Sequence, residues 1–360
     1  MSYEDFKQKV YSYLINYKKE ELKIVEKGIS NFGVEHDCLF PKPVCDEKIP
    51  VMIYRDIMPI VEEIQKSKFA YKPHRAASSH VASSQTACLN LFVPILESEY
   101  ADQILKQSGV APKGFDHIDR SQLRKGYCFE YWESSKARPK GLVGDHSHAA
   151  GTDSDVAIAY INKAGKKCLW LIEHKLTERD FTTCGGYRSK GISPAEKDCC
   201  NSCGINDLLK DHDKCYYHKH CHYLYWDIMD KHASFFSGKY EGEGCPFRGG
   251  MNQLWRNQML ALELELEEKI PFEEVYFSVV THPENTFLDK RMNQYRDLIN
   301  HSPKFFAFKS TALVNAAADY KSTVLEDKAA NDLHEWAKWY RRVYLGIVSC
   351  PEISRHYVKS

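Results

Sequence analysis

The stretch GTDSDVAIAYINKAGKKCLWLIEHKLTE, residues 151–178, limits the fold more than any other part of the chain. It holds two apolar runs, 156–161 and 168–172, separated by the polar turn NKAGKK. Runs of this length around a glycine-bearing turn predict two strands of one antiparallel hairpin, with Gly165 free to take a positive φ. Side chains alternate along a strand, so Asp153 and Asp155 share a face at the mouth of the first run. Glu173 and Lys175 share a face at the exit of the second. Antiparallel pairing brings mouth and exit together, and carboxylates from both strands are expected to converge there. Two anions that close repel, and one takes up a proton unless a cation sits between them. Mg²⁺, or Mn²⁺, suits such a place because it takes carboxylate oxygens, carbonyls and waters. Such an ion polarises a phosphoryl oxygen and acidifies a bound water, which a neighbouring lysine can orient or deprotonate. A lysine at a strand end is expected to do little for the core.

Spacing alone is weak support. Glu-x-Lys begins at Glu21, Glu173, Glu267 and Glu326, and the other three lie in helical or charged stretches. Glu173 alone follows an apolar strand, CLWLI, and is preceded by a second strand carrying acids.

The rest of the chain reads as helix over 3–27, helix over 52–67 with a kink at Pro59, and helix from Ser83 or Ser84 through Leu96, with Pro94 a weak point. A strand is predicted over 127–132, a helix over 251–269, a strand over 275–280, and helices over 289–300 and 325–345. The order predicts an α/β fold. Its parts are a helical region 1–79, a core 80–282 with an irregular insertion at 179–249, and a helical region 283–360.

Lys+Arg and Asp+Glu both number 49, so net charge does not argue for a polyanionic partner. A local basic stretch, Arg120, Arg124, Lys125, Lys136, Arg138 and Lys140, is a candidate nucleic-acid face or simply a solvated one. No run approaches the roughly 18 apolar residues of a membrane span, and the N-terminus lacks the apolar core of a signal peptide. The expectation is an intracellular, cytoplasmic protein with no membrane partner.

Of 13 cysteines, seven crowd into 184–245: Cys184, Cys199, Cys200, Cys203, Cys215, Cys221 and Cys245, with His212, His218, His220, His222 and His232 among them. Cys200-x-x-Cys203 is a metal-ligand spacing, and a segment poor in aliphatic residues needs a staple to order. Zn²⁺ suits Cys₄ or mixed Cys/His ligation, and a [4Fe–4S] cluster suits four thiolates. The ligand set expected is Cys184, Cys203, Cys215 and Cys245, with Cys199, Cys200 and Cys221 as substitutes.

GTDSDVAIAY followed by LWLIEHK resembles the PD-(D/E)xK nuclease superfamily, in its restriction-endonuclease-like and RecB-like branches. SSQTACLNLF, CPFRGGMNQLWRNQMLA and the cysteines between them are similar to one bacterial group of restriction-endonuclease-like proteins. The resemblance spans roughly 80–282. It implies a central mixed sheet flanked by helices, in the order αβββαβ, with helical additions at both ends. It implies catalytic Asp155, Glu173 and Lys175, the His174 backbone carbonyl as a further Mg²⁺ ligand, and DNA as substrate. Ser154 stands where the superfamily often has proline. Asp153 replaces Asp155 if the strand register differs. Accessory candidates are Gln85, Glu130, Gln253 and Gln258; Asn257 departs from the RecB-type Gln-x-x-x-Tyr. Some RecB-like relatives carry an iron–sulfur cluster, which keeps that option open beside zinc.

The implied activity is metal-dependent DNA endonuclease cleavage in restriction or genome defence. Two other readings stand beside it: a non-catalytic Cys/His module on a decayed nuclease core, and an exonuclease or RNA-acting nuclease using the same site. Cutting both strands often takes two active sites, which makes a homodimer a candidate assembly.

Overall fold

The structure is a computed structural model that describes residues 1–45, 49–68, 79–147, 151–188 and 202–347. Its centre is a six-stranded mixed sheet. The strands are β1 (Phe115–Ile118), β2 (Tyr127–Tyr131), β3 (Ser154–Asn162), β4 (Lys167–Lys175), β5 (Glu274–Thr281) and β6 (Phe305–Lys309). β1 and β2 share one edge of β3, both antiparallel to it. β3 and β4 form the antiparallel hairpin, and β4, β5 and β6 run parallel. A parallel neighbour requires a crossover, and residues 176–273 provide it between β4 and β5. The cysteine-rich segment is therefore part of the connection that carries the chain back across the sheet.

Among the described residues, nine principal helices surround the sheet: α1 (Tyr3–Glu20), α2 (Met58–Lys66), α3 (Ser84–Leu96), α4 (Ala101–Ser108), α5 (Tyr225–Lys231), α6 (Asn252–Leu264), α7 (Asp289–Leu298), α8 (Ser310–Ala318) and α9 (Lys328–Leu345). Alternation along β3 and β4 sorts them into two layers. Val156, Ile158, Tyr160, Trp170 and Ile172 enter one apolar core with α1, α2, α3 and α9. Ala157, Ala159, Leu169 and Leu171 enter the other with α5, α6 and α7. The sheet is thus buried on both faces, as parallel strands with crossover helices require. No helix among the described residues is long and apolar enough to cross a membrane.

Several local readings are corrected. Pro59 does not kink a helix; it lies in the first turn of α2, where its missing N–H costs nothing. α1 ends at Glu20, not near residue 27, and α6 ends at Leu264. β1, β6, α4 and α8 were not expected; the strands among them are only four and five residues long, too short for alternation to show. The basic stretch 120–140 is not a continuous face. Arg120 donates to the carbonyls of Leu96 and Lys125, Arg124 pairs with Glu97 and Glu63, and Arg138 pairs with Glu263 and Glu267.

Candidate active site

The hairpin register decides which charges meet. Val156 pairs with Ile172, so the next pair outward is Asp155 with Glu173. On the other side of β3, Phe129 pairs with Val156 and Tyr131 with Ser154, which sets Glu130 opposite Asp155. Glu130, Asp155 and Glu173 therefore form one row across three strands, with Lys175 two residues beyond Glu173 on the same face. Glu130 has φ 51°, a left-handed conformation inside a strand. For a residue with a Cβ this costs of order 1–3 kcal/mol and is typical of functional places.

The row lies between two helices. Ser83 caps α3 by accepting from the Thr86 amide, which fixes the first turn of the helix beside β4. Ser84 then donates its hydroxyl to the His174 carbonyl at 2.9 Å, and Gln85 donates to Glu130 at 2.7 Å. From the other side, α6 brings Gln253 to one oxygen of Glu173 and Asn257 to the other, each at 2.7 Å. Lys175 reaches the first of those oxygens at 2.9 Å. The backbone N–H of His174 donates to Asp155 at 2.6 Å. Both oxygens of Glu173 are engaged by donors, and the three carboxylates do not close to within 4.8 Å as a set.

Charge is uncompensated here. Burial, then the charge of Asp153, lifts the Glu130 carboxyl to about 8. Burial, then Glu173 and Glu130, pushes Asp155 well above the ordinary carboxylate range. Burial pulls the Lys175 ammonium down, but Glu173, Glu178 and Asp155 outweigh it and the net shift is upward. Lys175 is only 8% exposed, so it is not the dispensable strand-end lysine that its position in the sequence suggests. The His174 ring is buried and pushed down to about 3, mainly by desolvation and then by Lys175, which keeps it neutral and makes it packing. Three carboxylates against one ammonium leave excess negative charge, and their oxygens with the His174 carbonyl are hard donors of the kind that a divalent cation accepts.

The expected accessory residues divide. Gln85, Glu130 and Gln253 touch the row, and Asp153 is close enough to act on Glu130. Gln258 is buried and does not reach Glu173. Asn257 is a mismatch to Gln-x-x-x-Tyr, yet it holds Glu173. The signal was its i, i+4 spacing from Gln253, which puts both amides on one helix face.

In the crossover, Cys199 and Cys200 lie outside the described residues. Cys184 and Cys215 are near enough for one thiol to raise the pKa of the other. Cys245 is buried in the second core, and Cys203 and Cys215 pack against it. Among the described residues, Cys184, Cys203, Cys215 and Cys245 do not come together as a ligand set; the group that does is His212, His218 and Asp227.

A mixed sheet between helical layers, with acids and a lysine at its strand ends, defines a restriction-endonuclease-like α/β protein. A family model described as restriction endonuclease associating with ARP matches residues 14–345, nearly the whole chain, and the chain belongs to that family. No curated protein and no solved structure matches it.

Proposed function

We propose that this chain is a metal-dependent DNA endonuclease of the restriction or genome-defence kind, hydrolysing phosphodiester bonds at the Glu130–Asp155–Glu173 row. The observation that carries the reading is that row, two of its carboxyls displaced upward, with a buried lysine beside it. Asp155, Glu173 and the His174 carbonyl would hold Mg²⁺ or Mn²⁺, with Glu130 as a further carboxylate. The ion would supply Lewis acidity toward the phosphoryl group. Gln253 and Asn257 orient Glu173, Ser84 fixes the strand end at His174, and Lys175 supplies positive charge where the scissile phosphate gains negative charge.

Plasmid nicking tests this. Cleavage should need Mg²⁺ or Mn²⁺, stop with EDTA, and fall at least about 100-fold in Lys175→Ala. Undiminished Mg²⁺-dependent cleavage by a folded Lys175→Ala protein would sink the assignment. Activity on linear or RNA substrates only would move the substrate to ends or RNA and keep the site. No cleavage of any nucleic acid would favour a binding module on an inactive core.

A further inference from the structure

We propose that His212, His218 and Asp227 form a second metal site, for Zn²⁺ or a similar transition-metal ion, which pins three short elements of the crossover together. His212 lies in the 3₁₀ turn His212–Lys214, His218 in the helix Tyr216–Cys221, and Asp227 in α5. Their ligand atoms all lie within 4.8 Å of one another. Two imidazoles and a carboxylate are a donor set that zinc accepts readily.

The distances leave room for an ion between the three side chains. His218 Nε2 is 3.2 Å from one oxygen of Asp227, and His212 Nδ1 is 3.4 Å from the other. A charge-assisted N–H···O⁻ bond closes to about 2.7–2.9 Å. Two donor atoms each about 2.0–2.1 Å from a tetrahedral zinc stand roughly 3.4 Å apart. The His212 contact has the second spacing, and the His218 contact at 3.2 Å lies between the two.

The other side of His218 adds an independent argument. Its Nδ1 is 2.8 Å from Asp213, a good hydrogen bond. A neutral imidazole carries a single N–H. The tautomer that donates to Asp213 leaves the Nε2 lone pair facing an Asp227 oxygen at 3.2 Å, a clash that a second proton or a bound cation relieves. Carboxylate–His–metal is a common arrangement that fixes tautomer and ring orientation. Both imidazoles are half-buried and Asp227 is exposed, so an ion can enter and a fourth position faces water. The site shares no residue with the acid row and depends on no catalytic reading.

The test uses the full chain stripped of metal and titrated with Co²⁺ and with Zn²⁺ against a chromophoric chelator. The expected result is one Co²⁺ equivalent with ligand-field bands but no thiolate charge-transfer band. That equivalent should vanish in His212→Ala/His218→Ala and survive in Cys184→Ser/Cys215→Ser. Asp213→Asn, which keeps an acceptor behind His218 but removes its charge, should weaken Zn²⁺ binding by about 10-fold or more. It serves as the readout should the double histidine variant fail to fold. Unchanged Zn²⁺ stoichiometry and affinity in the folded double variant overturn the proposal. So does unchanged affinity in Asp213→Asn, or a thiolate signature on every bound equivalent.

Discussion

Asp155 shows what the site costs the fold. Its carboxylate accepts from the His174 amide, yet its pKa is displaced upward by burial and by two neighbouring carboxylates. Asp155→Asn keeps an oxygen for that amide and removes the charge. It should abolish cleavage while raising the stability of the metal-free protein by about 1–2 kcal/mol, as expected where active-site groups are held against their own repulsion. Thermal melts with and without Mg²⁺ check this: the variant should melt higher in EDTA and lose most of any Mg²⁺-induced gain. A lower melting temperature in EDTA would mean that Asp155 is structural. The acids themselves were legible in the sequence because strand alternation and hairpin pairing place them by counting. Lys175 was legible in position but not in burial, since the irregular stretch after β4, whose Phe181 ring lies beside its ammonium, has no periodicity to read.

Among the elements, α6 does the most fastening. Its Glu263 is buried and meets Lys231, His232 and Arg138, tying the helix to the end of α5 and to the loop after β2. Burial alone would lift its pKa, but hydrogen bonds from His232, Arg138 and Lys231 outweigh that and hold it at about 2, against an ordinary 4.5. Between those values the unfolded chain binds the proton and the folded one does not, so stability falls as pH falls. The contribution, about 3 kcal/mol, is complete above the ordinary carboxylate pKa and gone once the folded value is passed. In urea titrations, the stability gap between wild type and Glu263→Gln should shrink as pH drops from about 5 toward about 2.5. A constant gap across that range would refute the linkage. The pattern of α6 as an amphipathic helix was readable, but its polar partners were not. Arg138 reads in the sequence as part of a basic face, because its partners Glu263 and Glu267 lie 125 and 129 positions away. The histidines of the crossover were visible as candidate ligands, but Asp227, nine positions beyond His218, carries no spacing signal that joins it to them.

At the scale of the whole molecule, the first and last helices among the described residues enter one core. Phe6, Val10 and Leu14 of α1 and Leu333, Trp336 and Tyr340 of α9 share an apolar cluster with α3 and the sheet. Asn90, fully buried in α3, is its polar hub. It accepts from the Tyr54 amide at 2.8 Å and donates to the Met52 carbonyl at 2.8 Å and to the Tyr344 hydroxyl at 2.9 Å. Asn90→Ala leaves those three groups buried without a partner, which should cost about 3 kcal/mol or more. The expected denaturation curve has a lower midpoint and an unchanged slope, because everything tied to Asn90 unfolds together. A biphasic curve would show that the terminal helices melt as a separate unit. Sequence periodicity found α1, α3 and α9 individually. Their assembly around one amide depends on tertiary contacts between residues more than 200 positions apart, such as Asn90 and Tyr344.

The turn between β3 and β4 has a bearing on which changes of length the chain can survive. Both strands are buried on both faces, so apolar alternation discriminates weakly against sliding one strand by a residue. The turn supplies what the pattern lacks. Asn162 Oδ1 accepts from the amides of Ala164 and Lys166, and Gly165 takes φ 81°. Asp155 lies seven positions along the strand from Asn162, a lever of about 23 Å. Adding one residue between 163 and 166 would leave two strands that still pair and still bury, with Asp155 no longer facing Glu173. Such a protein should fold, by circular dichroism, and not cut. An insertion of equal size at 320–327, far along the chain, should do neither harm. Lineages are then expected to vary freely in loop length elsewhere while holding this turn to a fixed count.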